Sequence, residues 1–130
     1  MYNRRSQTEA KLRAAERRKR EDDAPRLKNE IPRLVELKLE LHELLGESSV
    51  SAAKHIRHVV VDHAPALFDV PCTDSACQDG GHDLTSEMLR SLRSGATEFS
   101  GEDSCHGRLG TTAAPCRRVL HYTAFAKYRD

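Results

Sequence analysis

Four cysteines, at positions 72, 77, 105 and 116, constrain the folding of this 130-residue chain more than any other feature. They form two halves, because four residues separate Cys72 from Cys77 and ten separate Cys105 from Cys116. Four thiols in a small chain most often hold one tetrahedral zinc ion. The first spacing is the wide end of what zinc knuckles use, and the second describes a loop. We therefore predict one Zn²⁺ bound by Cys72, Cys77, Cys105 and Cys116.

Two histidines lie close enough in sequence to replace one of these ligands. His82 follows a Gly-Gly pair and His106 follows Cys105, and neutral imidazole is as good a zinc ligand as thiolate. Disulfides, in any of three connectivities, and plain buried thiols are the other interpretations. A closed site with four protein ligands is structural, so we expect the metal to tie two distant parts of the chain together.

The composition makes such a cross-link useful. Tryptophan is absent, aromatic residues make up 5% of the chain and charged residues 32%, so little apolar area is available for a core. No apolar run reaches the roughly 18–20 residues that span a bilayer. The N-terminal residues show no apolar segment typical of a secretory signal. We expect a cytoplasmic protein, with no membrane partner, whose cysteines stay reduced or bind metal.

The N-terminal residues favour a helix that is mostly solvated. Ser6 and Glu9 have the spacing of a capping box, and strong helix formers follow as far as Arg20. An isolated helix of this length is marginal in water. We therefore predict a charged, partly frayed helical arm over 1–24, followed by a linker over 25–32.

Six basic residues of this arm could bind a partner. Contact with phosphates or with an acidic protein surface is one interpretation, and a solvated helix with compensating acids is the other. Stacking aromatic residues do not accompany the run, which argues against nucleic acid. The candidate binding residues are Lys11, Arg13, Arg17, Arg18, Lys19 and Arg20.

The stretch after the linker is compatible with two structures. Residues 35–42 alternate strictly between apolar and polar side chains, which predicts a half-buried strand. Leucines and an isoleucine at helical spacing across 27–44 would instead make a short coiled-coil stripe. Pro32 just before the alternating run disfavours a helix. We favour the strand.

The remaining elements complete an α+β pattern. Residues 56–61 are rich in β-branched side chains and predict a second strand that pairs with the first. A helix over 84–92 is expected, with Asp83 as its N-cap and Gly95 at its end. A loop is expected from Phe99 onward, and residues 118–128 predict a third strand whose apolar face meets the helix.

These expectations combine into one α+β domain over 33–130, preceded by the charged helix. It would have a three-stranded antiparallel sheet, one packed helix and a four-cysteine site similar in a general way to zinc ribbons. Motifs of zinc proteases, phosphate loops and nucleophile elbows do not occur in the sequence, and no small-molecule site is evident. We predict a non-enzymatic zinc-binding adaptor or regulatory binding protein. The alternative is a zinc-thiolate redox sensor or a small zinc-dependent enzyme.

Overall fold

The main feature of the fold is a four-stranded antiparallel sheet, in which residues 51–59, 34–45, 118–128 and 98–104 lie side by side in that order. A computed structural model describes residues 4–45, 50–74, 77–78, 80–109 and 116–130. The helices are α1 (Arg4–Asp23), α2 (Leu27–Glu30) and α3 (Thr85–Arg93). The strands are β1 (Leu34–Leu45), β2 (Ser51–Val59), β3 (Asp69–Val70), β4 (Cys77–Gln78), β5 (His82–Asp83), β6 (Glu98–Ser104), β7 (Arg108–Leu109) and β8 (Arg118–Tyr128).

Strand β1 lies in the middle of the sheet and follows its alternating sequence. Leu37, Leu39 and Leu41 point into the core and are almost fully buried, while the side chains between them are exposed or half-buried. The predicted strand is confirmed, and the coiled-coil alternative is wrong. The helical spacing of the leucines is overridden because β1 pairs on both sides, with β2 and β8.

The other two predicted strands are also present. Strand β2 pairs with β1 as expected, although it begins at Ser51, earlier than its β-branched residues suggest. Strand β8 spans the predicted residues, and Leu120, Tyr122, Ala124 and Ala126 of its inner face are buried. The sequence patterns of β1 and β8, the two central strands, therefore predict which face of each strand meets the core.

The prediction of three strands is wrong, because β6 forms a fourth where a loop was expected. Its sequence has few apolar residues, so it gave no strand signal. It pairs with β8 along its whole length. Gly101 is required there, since a Cβ at this position would lie 2.8–3.0 Å from atoms of the Tyr122 ring. Pairing with β8 therefore stabilises this strand, and Gly101 leaves the space that the Tyr122 side chain occupies.

Helix α3 covers the inner face of the sheet. Leu84, Met88 and Leu92 belong to the same buried cluster as the β1 and β8 side chains. The N-cap is Leu84, so the prediction of Asp83 as N-cap is wrong by one residue. The Asp83 carboxylate still accepts a hydrogen bond of 3.0 Å from the N–H of Thr85, and Gly95 has a φ of +79° just after the helix. The expected two-layer packing of helix on sheet is therefore present.

The N-terminal helix is long and largely exposed. It already includes Arg4, so Ser6 lies within the helix and the predicted capping box is wrong. Near its end, Arg20 forms a 3.1 Å ion pair with Asp69 of β3. No helix of the described residues has the length and apolar character needed to cross a membrane.

Residues 25–32, expected to be a linker, include α2 and contribute to the core. Leu27 and Ile31 are buried in the same cluster as the sheet leucines. The N–H of Leu27 donates a 3.0 Å hydrogen bond to the carbonyl of Ala64. This stretch is therefore packed against the sheet domain.

Candidate metal centre

The four cysteine thiols come together although they lie far apart in the sequence. Cys72 follows β3, Cys77 begins β4, Cys105 follows β6 and Cys116 precedes β8. Their Sγ atoms all lie within 4.8 Å of one another. The two halves of the sequence pattern thus meet in one cluster.

The sulfur–sulfur distances match those around a tetrahedral ion. The Sγ atoms of Cys72 and Cys116 are 3.8 Å apart, and those of Cys77 and Cys105 are 3.6 Å apart. Zn–S bonds of about 2.3 Å at tetrahedral angles place sulfur atoms about 3.8 Å from each other. A disulfide needs about 2.0 Å, and all four cysteines are free. The disulfide interpretation is therefore excluded for this structure.

Backbone donors favour a negative charge on one of the sulfurs. The N–H groups of Gly81 and Gly107 approach Cys105 Sγ at 3.3 and 3.4 Å. Burial alone would raise the pKa of the Cys105 thiol, but these two hydrogen bonds and those from neighbouring thiols lower it. Cys105 is therefore the thiol best prepared to act as a thiolate.

Two of the remaining thiols hold their protons more tightly. Burial, together with the nearby thiols, raises the pKa of Cys77 to about 12. Burial likewise raises the pKa of Cys72 far above its ordinary value, with the charge of Cys105 adding to the effect. Crowded sulfurs that resist sharing negative charge need a cation to become thiolates together.

Short backbone contacts fix the segments that carry the cysteines. Strands β4 and β7 form a two-residue ladder in which Cys77 pairs with Leu109. The N–H of Cys116 donates to the carbonyl of Gly107 at 2.8 Å, and the N–H of Cys105 donates to the carbonyl of Arg118 at 2.9 Å. The second half of the site, a loop by its sequence, is thus anchored to β8.

Gly80 leaves room for the sulfur atoms. A Cβ added at this position would lie 2.5 Å from Cys105 Sγ and would also overlap Cys77 Sγ. Its neighbour Gly81 has a φ of +138°, which side-chain-bearing residues rarely adopt. The Gly-Gly pair, expected to be a turn, therefore also brings the backbone against the sulfur cluster.

Sequence reasoning missed a buried carboxylate beside the cluster. Glu43 of β1 is 3% exposed and accepts a 2.6 Å hydrogen bond from the hydroxyl of Thr73, the residue after Cys72. Arg118, two residues after Cys116, lies 3.3 Å from the same carboxylate. The signal was available, because Glu43 falls on the inward side of the alternating β1 pattern.

The two alternate histidines are placed differently. His82 is fully buried, with Nδ1 3.2 Å from Asp103 and Nε2 3.8 Å from Glu43, and Nε2 has no hydrogen-bond partner. His106 is 69% exposed and lies 4.0 Å from Asp103. The group of potential ligands that the described residues bring together consists of the four cysteines.

The basic residues of the arm lie on α1, which runs beside the loops that carry the cysteine cluster. Arg17 and Arg20 line a cleft of about 310 Å³ together with Gly80, Gly81 and His106. Arg17 is half-buried, whereas other basic side chains of the run are exposed; these are Lys11, Arg18, Lys19 and Arg20. Arg13 also belongs to α1. The fold thus brings part of the run next to the cysteine loops.

Comparison with protein-family models, with curated proteins and with solved structures finds no match to this chain.

Proposed function

We propose that this protein is a non-enzymatic binding protein in which Cys72, Cys77, Cys105 and Cys116 hold one structural Zn²⁺. The observation that carries the proposal is the mutual proximity of the four Sγ atoms, all within 4.8 Å. Four thiolates complete a tetrahedral shell, so no position remains for the water or substrate that a catalytic zinc needs. We also propose that this four-cysteine site resembles those of zinc ribbons, as the sequence predicts.

The metal would stabilise elements that are too short to persist alone. Each of the two-stranded sheets, β3 with β5 and β4 with β7, has two residues per strand, and an isolated hairpin is marginal at best. A metal that joins their flanking segments contributes its binding free energy to folding. The zinc would therefore hold the loops on the inner side of the sheet in place.

Metal analysis and thiol titration test this site. Protein purified with its metal should contain one zinc per chain, and its four thiols should react with Ellman's reagent only after chelation or unfolding. Cys77→Ser should lose the metal, whereas His106→Ala, next to Cys105 but exposed, should keep it. Rapidly reactive thiols in the folded protein, with no bound metal, would contradict the proposal and favour a redox role.

We further propose that the basic side chains of α1 bind an acidic protein surface. Support comes from the exposure of Lys11, Arg18 and Lys19 and from the position of α1 beside the cysteine loops. Polyglutamate and a single-stranded oligonucleotide serve as probes for the two acidic classes. Deletion of residues 1–24 should weaken binding of polyglutamate at least tenfold, and unchanged binding would contradict the proposal. Tighter binding of the oligonucleotide, with a steep salt dependence that deletion removes, would instead assign the arm to nucleic acid.

A further inference from the structure

Strand β2 is an edge strand that offers an unpaired side. It pairs with β1, and no other strand of the described residues pairs with it. Edge strands present a row of N–H and C=O groups that can accept another extended segment. The nine residues of β2 are enough for a strand of ordinary length.

The charge on β2 has one sign. Lys54, His55, Arg57 and His58 lie within Ser51–Val59, and the strand contains no acidic residue. Lys54 and His58 lie on the face away from α3, because they pair with His42 and Lys38 of β1, whereas His55 and Arg57 lie on the other face. An approaching strand therefore meets positive charge from both faces.

An apolar side chain lies between these charges. Ile56 shares the outer face with Lys54 and His58, and it is 58% exposed. Beside it runs an open groove of about 670 Å³, lined also by His42, His121 and Thr123. Glu40, which also borders the groove, lies 3.7 Å from Lys38 Nζ and forms an exposed ion pair with it. The surface thus combines one apolar contact with basic contacts on either side.

Protection against aggregation does not explain this composition fully. Charged side chains do blunt sheet edges, but such an edge gains nothing from an exposed isoleucine. Pairing of β2 with β2 of a second copy would place basic residues opposite basic residues, which is unfavourable. The charge pattern therefore selects an acidic occupant over self-pairing.

We propose that β2 binds an extended acidic segment of a protein partner, which adds a fifth strand to the sheet. Carboxylates of that segment would lie opposite Lys54 and His58, with an apolar side chain between them opposite Ile56, because these three residues share the outer face of β2. This surface is separate from the candidate metal site, and its Val59 end borders α1, where Glu21 lines a cleft together with Arg57 and His58. Binding here extends the proposed function, because the strand and not the basic run of α1 would make the contact.

A designed peptide tests the surface directly. The probe is a blocked, fluorescent nine-residue threonine peptide with glutamate, valine and glutamate at its third, fifth and seventh positions, which share one face of a strand. Binding is followed by fluorescence anisotropy on the full, metal-loaded chain. We expect saturable binding that weakens about tenfold in the double variant Lys54→Glu, Arg57→Glu. The double variant Lys28→Glu, Arg33→Glu, with the same charge change away from β2, should bind normally. Circular dichroism confirms that each variant is folded.

Two further probes separate strand addition from charge attraction. A peptide of the same sequence with alternate backbone nitrogens methylated cannot pair with an edge, and it should bind at least tenfold more weakly. Equal binding of the methylated peptide would overturn the proposal.

Two controls identify the occupant. Loss of binding on deletion of residues 1–24, with full binding by the β2 variant, would assign the peptide to α1 and overturn the proposal. Concentration-dependent self-association that Lys54→Glu or Glu102→Lys each abolishes would show that the acidic β6 edge of a second copy occupies β2, and would also overturn it.

Discussion

Gly80 is the residue whose small size the sulfur cluster depends on most directly. We predict that Gly80→Ala lowers zinc affinity at least a hundredfold, because the new methyl group would occupy the space of Cys77 and Cys105 Sγ. Competition with a chromophoric chelator measures the affinity.

A second glycine provides the matched control for this substitution. Gly95 has a φ of +79° and no atom within 4 Å of an added Cβ. Gly95→Ala should therefore cost about 1 kcal/mol of stability through backbone strain and leave zinc affinity unchanged. Equal affinities of the two variants would contradict the packing of Gly80 against sulfur.

Glu43 is a positioning residue, because it holds two segments that carry cysteines. It accepts from Thr73 beside Cys72 and pairs with Arg118 near Cys116. Outer-shell partners typically contribute 10–100-fold to metal affinity. We predict a loss of about that size in Glu43→Gln, because the amide has no charge to pair with Arg118 and its NH2 group cannot accept from the backbone N–H of Thr73.

An exposed glutamate on the same strand is the control for Glu43. Glu40→Gln should leave metal affinity unchanged, since Glu40 faces Lys38 on the outer side of β1. Cobalt-substituted protein gives a second measurement, because its ligand-field bands report the geometry of the four sulfurs. Identical affinities and spectra for both variants would remove Glu43 from the support of the site.

At the scale of elements, the small ladders differ from the main sheet in how they are held. Strands β4 and β7 pair over two residues, whereas β1 and β8 pair over eleven positions. We predict that chelation removes hydrogen-exchange protection from amides of β4 and β7 first, while β1 and β8 keep theirs. Simultaneous loss of protection in all four strands would mean that the metal holds the whole domain.

Helix α2 belongs energetically to the sheet domain, in contrast to most of α1. Leu27 is fully buried in the core cluster, so Leu27→Ala should cost about 2–5 kcal/mol. The described side chains within 11–24 are mostly exposed, so deletion of residues 1–24 should cost much less. Urea unfolding of both proteins measures the difference, and comparable losses would show that α1 is an integral part of the core.

At the scale of the whole molecule, Tyr122 joins the sheet to the helix layer. Its ring packs against Gly101 of β6. Burial, together with a hydrogen bond to Glu87 of α3, raises the pKa of its phenol. A raised pKa in the folded state means that the stabilisation is complete below the ordinary value of about 10 and is lost as the pH rises above it.

We therefore predict that the free energy of unfolding falls between pH 9 and pH 11 by more in the wild-type protein than in Tyr122→Phe. The phenylalanine variant keeps the ring but has no proton to lose. Urea midpoints at each pH measure the effect. Parallel pH profiles for the two proteins would show that Tyr122 is not linked to folding.

Local sequence patterns predicted two central strands and the helix α3. Strict alternation over 35–42 and the apolar face of residues 118–128 predicted the two central strands, β1 and β8, and the faces they bury, because a period of two cannot bury one face of a helix. The cysteine count indicated a single cluster. A strand with few apolar residues, such as β6, gives no such signal, because its partner β8 and the space at Gly101 are supplied from elsewhere.

The support of the candidate site depends on contacts between distant residues, which are visible in the folded chain and not in the local sequence. The tertiary structure brought the four sulfurs together and placed the His82 imidazole between Glu43 and Asp103. It also placed Glu43 beside the segments of Cys72 and Cys116 and left β2 as a basic edge. The contacts of Glu43 with Thr73 and Arg118 join residues 30 and 75 positions apart. Local propensity therefore does not encode them; long-range strand pairing and burial do.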